Sequence, residues 1–195
     1  MQNKWLVASD IDGTLNSKAR RLPRRNGEAI DKFIEEGGYF TLASGRPIKS
    51  LERAWKTVQT SCPAVALNGG LIYDFHEHKV VKKMSIPKAG QDFVKKIANE
   101  FKGLYSLDVG IFGAETAYIV KHGLFSFCQE FFDKVPHKVT GFDSIPDDDW
   151  CKVIFWGFPP AIKRLKEEAA KHPEVGNFMS SSIVTFEMLA PGVHK

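Results

Sequence analysis

The feature that most constrains the fold is the layout of the first 70 residues. Three short apolar runs, Trp5 to Ala8, Tyr39 to Ala43 and Ala64 to Leu67, alternate with two helix-period stripes. Runs of this length, each stopping at polar residues, read as buried strands. Between the first two, Ala29, Ile30, Phe33 and Ile34 fall at helical spacing; Asn26 is the expected N-cap and Gly37-Gly38 the stop. Between the second and third, Leu51, Ala54, Trp55 and Val58 form another stripe. Strand–helix–strand–helix–strand at this spacing predicts parallel strands joined by right-handed crossovers. The runs end at Ser9-Asp10, Ser44-Gly45-Arg46-Pro47 and Asn68-Gly69-Gly70. The C-terminal ends of parallel strands share one sheet edge, where ligands bind, so Asp10, Ser44 and Asn68 are expected to converge.

After residue 70 the pattern changes. Leu71 to Tyr73 and Lys79 to Val81 flank His76-Glu77-His78 as a predicted hairpin. Phe93, Val94, Ile97, Ala98 and Phe101 predict an amphipathic helix. Strands are expected at Val109 to Phe112, Ala117 to Val120, Val153 to Trp156, Phe178 to Ser181 and Val184 to Leu189. Helices are expected at Phe125 to Phe132 and Pro160 to Lys171. Paired strands between helices predict a second, α+β module over 83–188. The first module is then 1–82 plus 189–195.

Chemistry concentrates in Asp10-Ile11-Asp12-Gly13-Thr14. Its four fixed residues match by chance in about one chain in a thousand of this length. A carboxylate can attack phosphorus and form an acyl phosphate. A second carboxylate two residues on can protonate the leaving oxygen and then activate water. Two close carboxylates also attract a hard divalent cation such as Mg²⁺. Gly13 lets the chain turn away from the reacting centre. Ser44 and the amide of Gly45 are the kind of groups that hold phosphate oxygens at a strand end.

Asp10-Ile11-Asp12-Gly13-Thr14-Leu15 resembles the first motif of the haloacid-dehalogenase superfamily of phosphatases. The resemblance implies an α/β fold, a parallel Rossmann-like core sheet carrying an inserted α+β cap. It assigns Asp10 as nucleophile and Asp12 as general acid/base, both also serving Mg²⁺. Ser44-Gly45-Arg46 resembles the second motif, with the Gly-Arg-Pro pattern of the Cof-like sugar-phosphatase branch. Asn68-Gly69 resembles the pair that precedes that branch's type IIB cap. By the resemblance, Gly13, Ser44, Gly45, Arg46, Asn68 and Gly69 bind substrate. Phe186 to Lys195 resembles the stretch leading to the third motif, which makes Lys195 the cation that steadies nucleophile and phosphoryl charge. The family's fourth motif, with its further acids, has no counterpart before the last residue. The expectation is therefore a truncated chain with weak Mg²⁺ binding and an unpaired edge on the first strand, prone to self-association.

The implied activity is Mg²⁺-dependent hydrolysis of small phosphorylated metabolites, chiefly sugar phosphates. The alternatives are a phosphomutase of the phosphomannomutase type and a catalytically incomplete chain that only binds ligand. The net charge of +4 includes one cluster, Lys18, Arg20, Arg21, Arg24 and Arg25, which reads as a solvated loop before a helix rather than a nucleic-acid contact. The N-terminal apolar run is too short for a signal sequence or a membrane span. Three cysteines without CxxC spacing point to a reducing compartment, hence a cytoplasmic protein with neither nucleic-acid nor membrane partners. Asp147-Asp148-Asp149 and His76-x-His78 read as turns rather than metal sites.

Overall fold

A computed structural model describes residues 5–16, 22–58, 60–126 and 137–195. The chain divides into two compact units. One runs to Lys83 and includes Lys195; the other is Met84–His194.

In the first unit the predicted alternation is present. Strand β1 (Leu6–Ser9) pairs in parallel with β2 (Tyr39–Leu42), Leu6 opposite Tyr39 and Ser9 opposite Leu42. Helix α1 (Arg24–Glu35) joins them, and α2 (Ile48–Trp55) leads from β2 to β3 (Ala64–Ala66). A single parallel bridge, Ala43 to Val65, aligns β2 with β3. Strands β4 (Leu71–Asp74) and β5 (Lys79–Lys83) then add antiparallel to β3. Leu42, Leu51, Ala64, Ala66 and Leu71 are buried, which fits two-sided cover of the central strands.

Asn26 does not cap α1. Pro23 occupies that position with extended backbone, and Asn26 lies inside the helix, donating its side-chain amide to the Leu15 carbonyl (3.1 Å). Proline pre-sets the entry geometry, so the helix starts three residues earlier than the asparagine signal indicates. Of the basic cluster, Arg24 opens α1 and pairs with Glu28 across one turn; Lys18, Arg20 and Arg21 lie outside the described residues. The β4–β5 tip is organised by Asp74, whose carboxylate accepts the Glu77 and His76 amides. Those bonds hold it below the usual carboxylate range.

The second unit is a six-stranded sheet in the order β10-β11-β9-β6-β7-β8. Its strands are β6 (Leu107–Phe112), β7 (Ala117–Lys121), β8 (His137–Val139), β9 (Lys152–Gly157), β10 (Asn177–Ser180) and β11 (Thr185–Leu189). Helices α3 (Lys88–Glu100) and α4 (Pro159–Ala169) contribute Val94, Ile97, Ile162 and Leu165 to the core cluster that holds Val109, Ile111, Val153, Phe155, Phe186 and Met188. Lys152 and Glu187 alternate with those apolar residues along β9 and β11, and form a buried ion pair at 2.8 Å. Strand β8 has no expected counterpart in the sequence pattern. The helix expected over Phe125–Phe132 lies largely outside the described residues, as does Cys128.

The boundary near the C-terminus differs from expectation. Residues 189–194, expected with the first module, belong to the second. Leu189 ends β11 opposite Asn177, Leu189, Ala190 and Val193 are buried in the second core, and Asn177 donates to the Val193 carbonyl (2.6 Å). Only Lys195 belongs with the first unit.

Asp147–Asp149 form one short helical turn. Asp149 accepts the Ala114 amide (2.8 Å) and the Tyr118 hydroxyl (2.9 Å). Burial first, and that carboxylate second, push the Tyr118 phenol up.

Candidate active site

Asp10 stands immediately after β1, with extended backbone. Ile11–Leu15 then coil back on themselves, so that the Leu15 and Asn16 amides reach the Asp10 and Ile11 carbonyls. The turn needs Gly13 at φ 77°, a left-handed conformation that costs a side-chain-bearing residue energy. Ile11 and Leu15 are buried beneath, which fixes the loop while Asp12 points outward. Apolar residues at alternate ends of the motif thus anchor it, and the two acids between them are left for chemistry.

The second and third strand ends lock together. The Ser44 amide donates to the Val65 carbonyl (2.9 Å), the Asn68 amide to the Ser44 carbonyl (3.0 Å), and the Leu67 amide to the Arg46 carbonyl (3.1 Å). Leu67, Asn68 and Gly69 all take positive φ, 52°, 56° and 101°. Two consecutive non-glycine residues in that region are uncommon and are held there by surrounding structure. The Asn68 side chain is buried against Gly45. A Cβ added at Gly45 would lie 2.7 Å from Asn68 Oδ1. Gly45→Ala is therefore expected to displace the Asn68 turn and cost about 1–3 kcal/mol, comparable to overpacking, measured by urea denaturation. An unchanged midpoint would show that the turn yields freely.

Four charged side chains meet at this edge. Lys195 Nζ lies 2.9 Å from Asp10 Oδ1. Arg46 reaches 34 residues back, its Nε donating to Asp12 Oδ2 (2.9 Å) and its Nη2 to Asp12 Oδ1 (2.6 Å). Two acids face two cations, and the quartet is charge-balanced. Ser44 is buried, and its hydroxyl accepts the Arg46 backbone amide (3.3 Å).

Of the three residues expected to converge, Ser44 and Asn68 are joined directly, and Asp10 follows β1, whose Ser9 carbonyl accepts the Ala43 amide at the end of β2 (2.8 Å); Lys195 pairs with Asp10 and Arg46 with Asp12. Sequence reasoning missed the Arg46–Asp12 fork. The signal for it was a guanidinium placed four residues past the end of β2, beside a strand end carrying an acid. It also missed the buried Lys152–Glu187 pair, whose signal was a charge at the start of one apolar strand and another inside a second.

A strand–loop pair of acids at the C-terminal edge of a parallel sheet, faced by cations from two other segments, lies where ligands of α/β sheets bind. The family model for haloacid dehalogenase-like hydrolases matches residues 7–195, and the chain belongs to that family. Among curated relatives, YxeH of Bacillus subtilis (strain 168) is 24% identical over 172 residues, 82% of this chain and 60% of YxeH. The pyridoxal phosphate phosphatase YbhA of Escherichia coli (strain K12) is 25% identical over 119 residues, 60% of this chain and 44% of YbhA. The chain thus spans less than two thirds of either relative. Among solved structures, TM0651 of Thermotoga maritima superposes with a TM-score of 0.80 at 20% identity, over 99% of this chain and 72% of that one. The subclass IIB sugar phosphatase BT4131 superposes with a TM-score of 0.72 at 17% identity, over 98% and 72%. At these identities the superpositions establish the fold.

Proposed function

We propose that the chain carries the active-site acids of a phosphomonoester hydrolase that acts on small phosphorylated metabolites. The observation that carries this reading is the charge-balanced quartet of Asp10, Lys195, Asp12 and Arg46 at one strand edge. In the first step an Asp10 oxygen attacks phosphorus, the bond from phosphorus to the leaving oxygen breaks, and Asp12, having first taken up a proton from solvent, gives it to that oxygen. In the second, water attacks the aspartyl phosphate and gives a proton to Asp12; inorganic phosphate leaves and Asp10 is regenerated. Ser44 and the Gly45 amide, with Gly13, Asn68 and Gly69 shaping the turns, hold the phosphoryl oxygens, and Lys195 offsets their charge. The second unit serves as the substrate-selecting module.

A divalent cation fits this donor set in kind. Asp10 would supply a carboxylate oxygen and Asp12 its backbone carbonyl oxygen, both hard oxygen ligands of the kind Mg²⁺ prefers. Among the described residues no third acid joins these two, so a bound Mg²⁺ would keep much of its water. When bound it would supply charge neutralisation on the phosphoryl oxygens.

The test is release of inorganic phosphate from a panel of sugar phosphates and pyridoxal phosphate, with Mg²⁺ and with chelator. Mg²⁺-dependent release supports the reading, and no release from any substrate under either condition refutes it for this chain.

We further propose that β1 mediates self-association. Among the described residues it pairs only with β2, and Trp5, Leu6 and Val7 are 72%, 61% and 44% exposed. An exposed apolar edge invites strand pairing. Sedimentation velocity is expected to show concentration-dependent association that Leu6→Lys suppresses; a wild-type chain monomeric at high concentration would end the proposal. Cys62 and Cys151 are not disulfide-bonded, in keeping with a cytoplasmic setting, and no helix among the described residues is long and apolar enough to cross a membrane.

A further inference from the structure

We infer that Arg46 is a positioning residue for Asp12 rather than a ligand of the transferred phosphate. This rests on the hydrolase reading above. Its geometric part stands apart from turnover.

Three observations carry it. First, Arg46 engages both oxygens of Asp12 through two different nitrogens, at 2.9 and 2.6 Å. A carboxylate rotates about two side-chain bonds. One contact leaves its plane free; a two-point fork fixes plane and direction together. Second, Arg46 is the anchored member. Its amide donates to Ser44 Oγ and its carbonyl accepts the Leu67 amide, so its backbone is pinned between two strand ends. Its side chain is 28% exposed against 54% for Asp12. The carboxylate, on its glycine-bearing turn, is the group that needs holding. Third, the other cation of the quartet has a different role. Lys195 pairs with Asp10 through a single nitrogen, a point charge suited to following charge as it moves onto phosphorus. The guanidinium directs an acid, and the ammonium offsets charge.

An acid aimed by a fork matters only where a proton must be delivered. Esters of alcohols need protonation of the departing oxygen. Esters of p-nitrophenol leave as a stable anion and need little. The ratio of the two activities therefore reads whether Asp12 is correctly held. A lysine at position 46 keeps the charge but lacks the fork.

The experiment uses the full chain with Arg46→Gln and Arg46→Lys. Turnover is measured on a hexose 6-phosphate and on p-nitrophenyl phosphate, and inorganic phosphate binding by calorimetry. For both variants the ratio of hexose-ester to aryl-ester kcat is expected to fall at least about thirtyfold, within the range of general-acid contributions. KM and the phosphate Kd should stay within about threefold. Equal losses on both esters, a tenfold weaker phosphate Kd, or recovery with lysine would overturn the proposal. A third readout needs no turnover. The Arg46 Nε–H resonance in the ¹⁵N spectrum should be protected from exchange in the wild-type chain and lose protection in Asp12→Asn. The same protection in both would overturn the proposal even where phosphate release succeeds. A wild-type chain that releases no phosphate but shows the Asp12-dependent resonance would refute the hydrolase reading and leave the positioning geometry standing.

Discussion

Asp10→Asn is expected to lower phosphate release by at least about a thousandfold, equivalent to about 4 kcal/mol of barrier. The amide that replaces the carboxylate is neutral and a poor nucleophile, so the step that forms the acyl phosphate is lost rather than slowed by misalignment. The geometry makes the control sharp. Asp10 follows β1 with extended backbone and is not packed in the core, and asparagine is nearly its isostere, so the fold should be unaffected. Removing its charge frees Lys195, which now sits 2.9 Å from it, to serve an incoming anion. Inorganic phosphate should therefore bind Asp10→Asn as well as, or more tightly than, the wild-type chain in the absence of added cation. The combination of lost turnover and retained binding separates a nucleophile from a binding residue. Full turnover in Asp10→Asn would remove the nucleophile assignment, and weakened phosphate binding would mean that Asp10 acts by holding the site together. A phosphomutase would differ in another way, returning phosphate to the sugar rather than releasing it in step with substrate loss.

The parts of this site that sequence could show are those set by local rules. Apolar runs that stop at polar, glycine-bearing turns placed β1, β2 and β3 and brought Asp10, Ser44 and Asn68 to one edge, because parallel strands leave no other arrangement for their ends. Gly13 was legible as a turn because only a left-handed residue lets the acids face out. The Arg46–Asp12 fork was not, because it joins residues 34 positions apart through side chains whose reach depends on how two strand ends are spaced. The same limit explains the second unit. Strand β11 could be read to Leu189, but whether residues 189–194 return to the first module depends on burial of Ala190 and Val193, and single apolar residues carry no periodicity. Asn26 shows a local rule overtaken by a stronger one, since Pro23 fixes the helix start before the asparagine can cap it. The Lys152–Glu187 pair shows tertiary structure compensating a cost the pattern cannot show: a charge opening β9 and a charge inside the neighbouring β11 are buried as an ion pair.

Phe155→Ala should have the largest effect on stability, about 3–5 kcal/mol against a total of about 5–15 for a domain of this kind. Phe155 is fully buried in β9, opposite Phe186 of β11 on one side and Val109 of β6 on the other, so it sits at the middle of the sheet with no edge toward which neighbours can relax. The same ring belongs to the cluster formed with Val94 and Ile97 of α3 and Ile162 and Leu165 of α4. Truncation removes contacts with both layers and leaves a cavity that stiff, hydrogen-bonded strands cannot collapse. Phe155→Leu keeps most of the volume and should cost about 1 kcal/mol. The measurement is the urea midpoint together with amide exchange in β6, β9 and β11. A graded loss, small for leucine and large for alanine, with exchange accelerated across all three strands, is what central packing predicts. If alanine and leucine cost the same, the penalty comes from strand propensity or from the unfolded chain, and the second core does not depend on this ring.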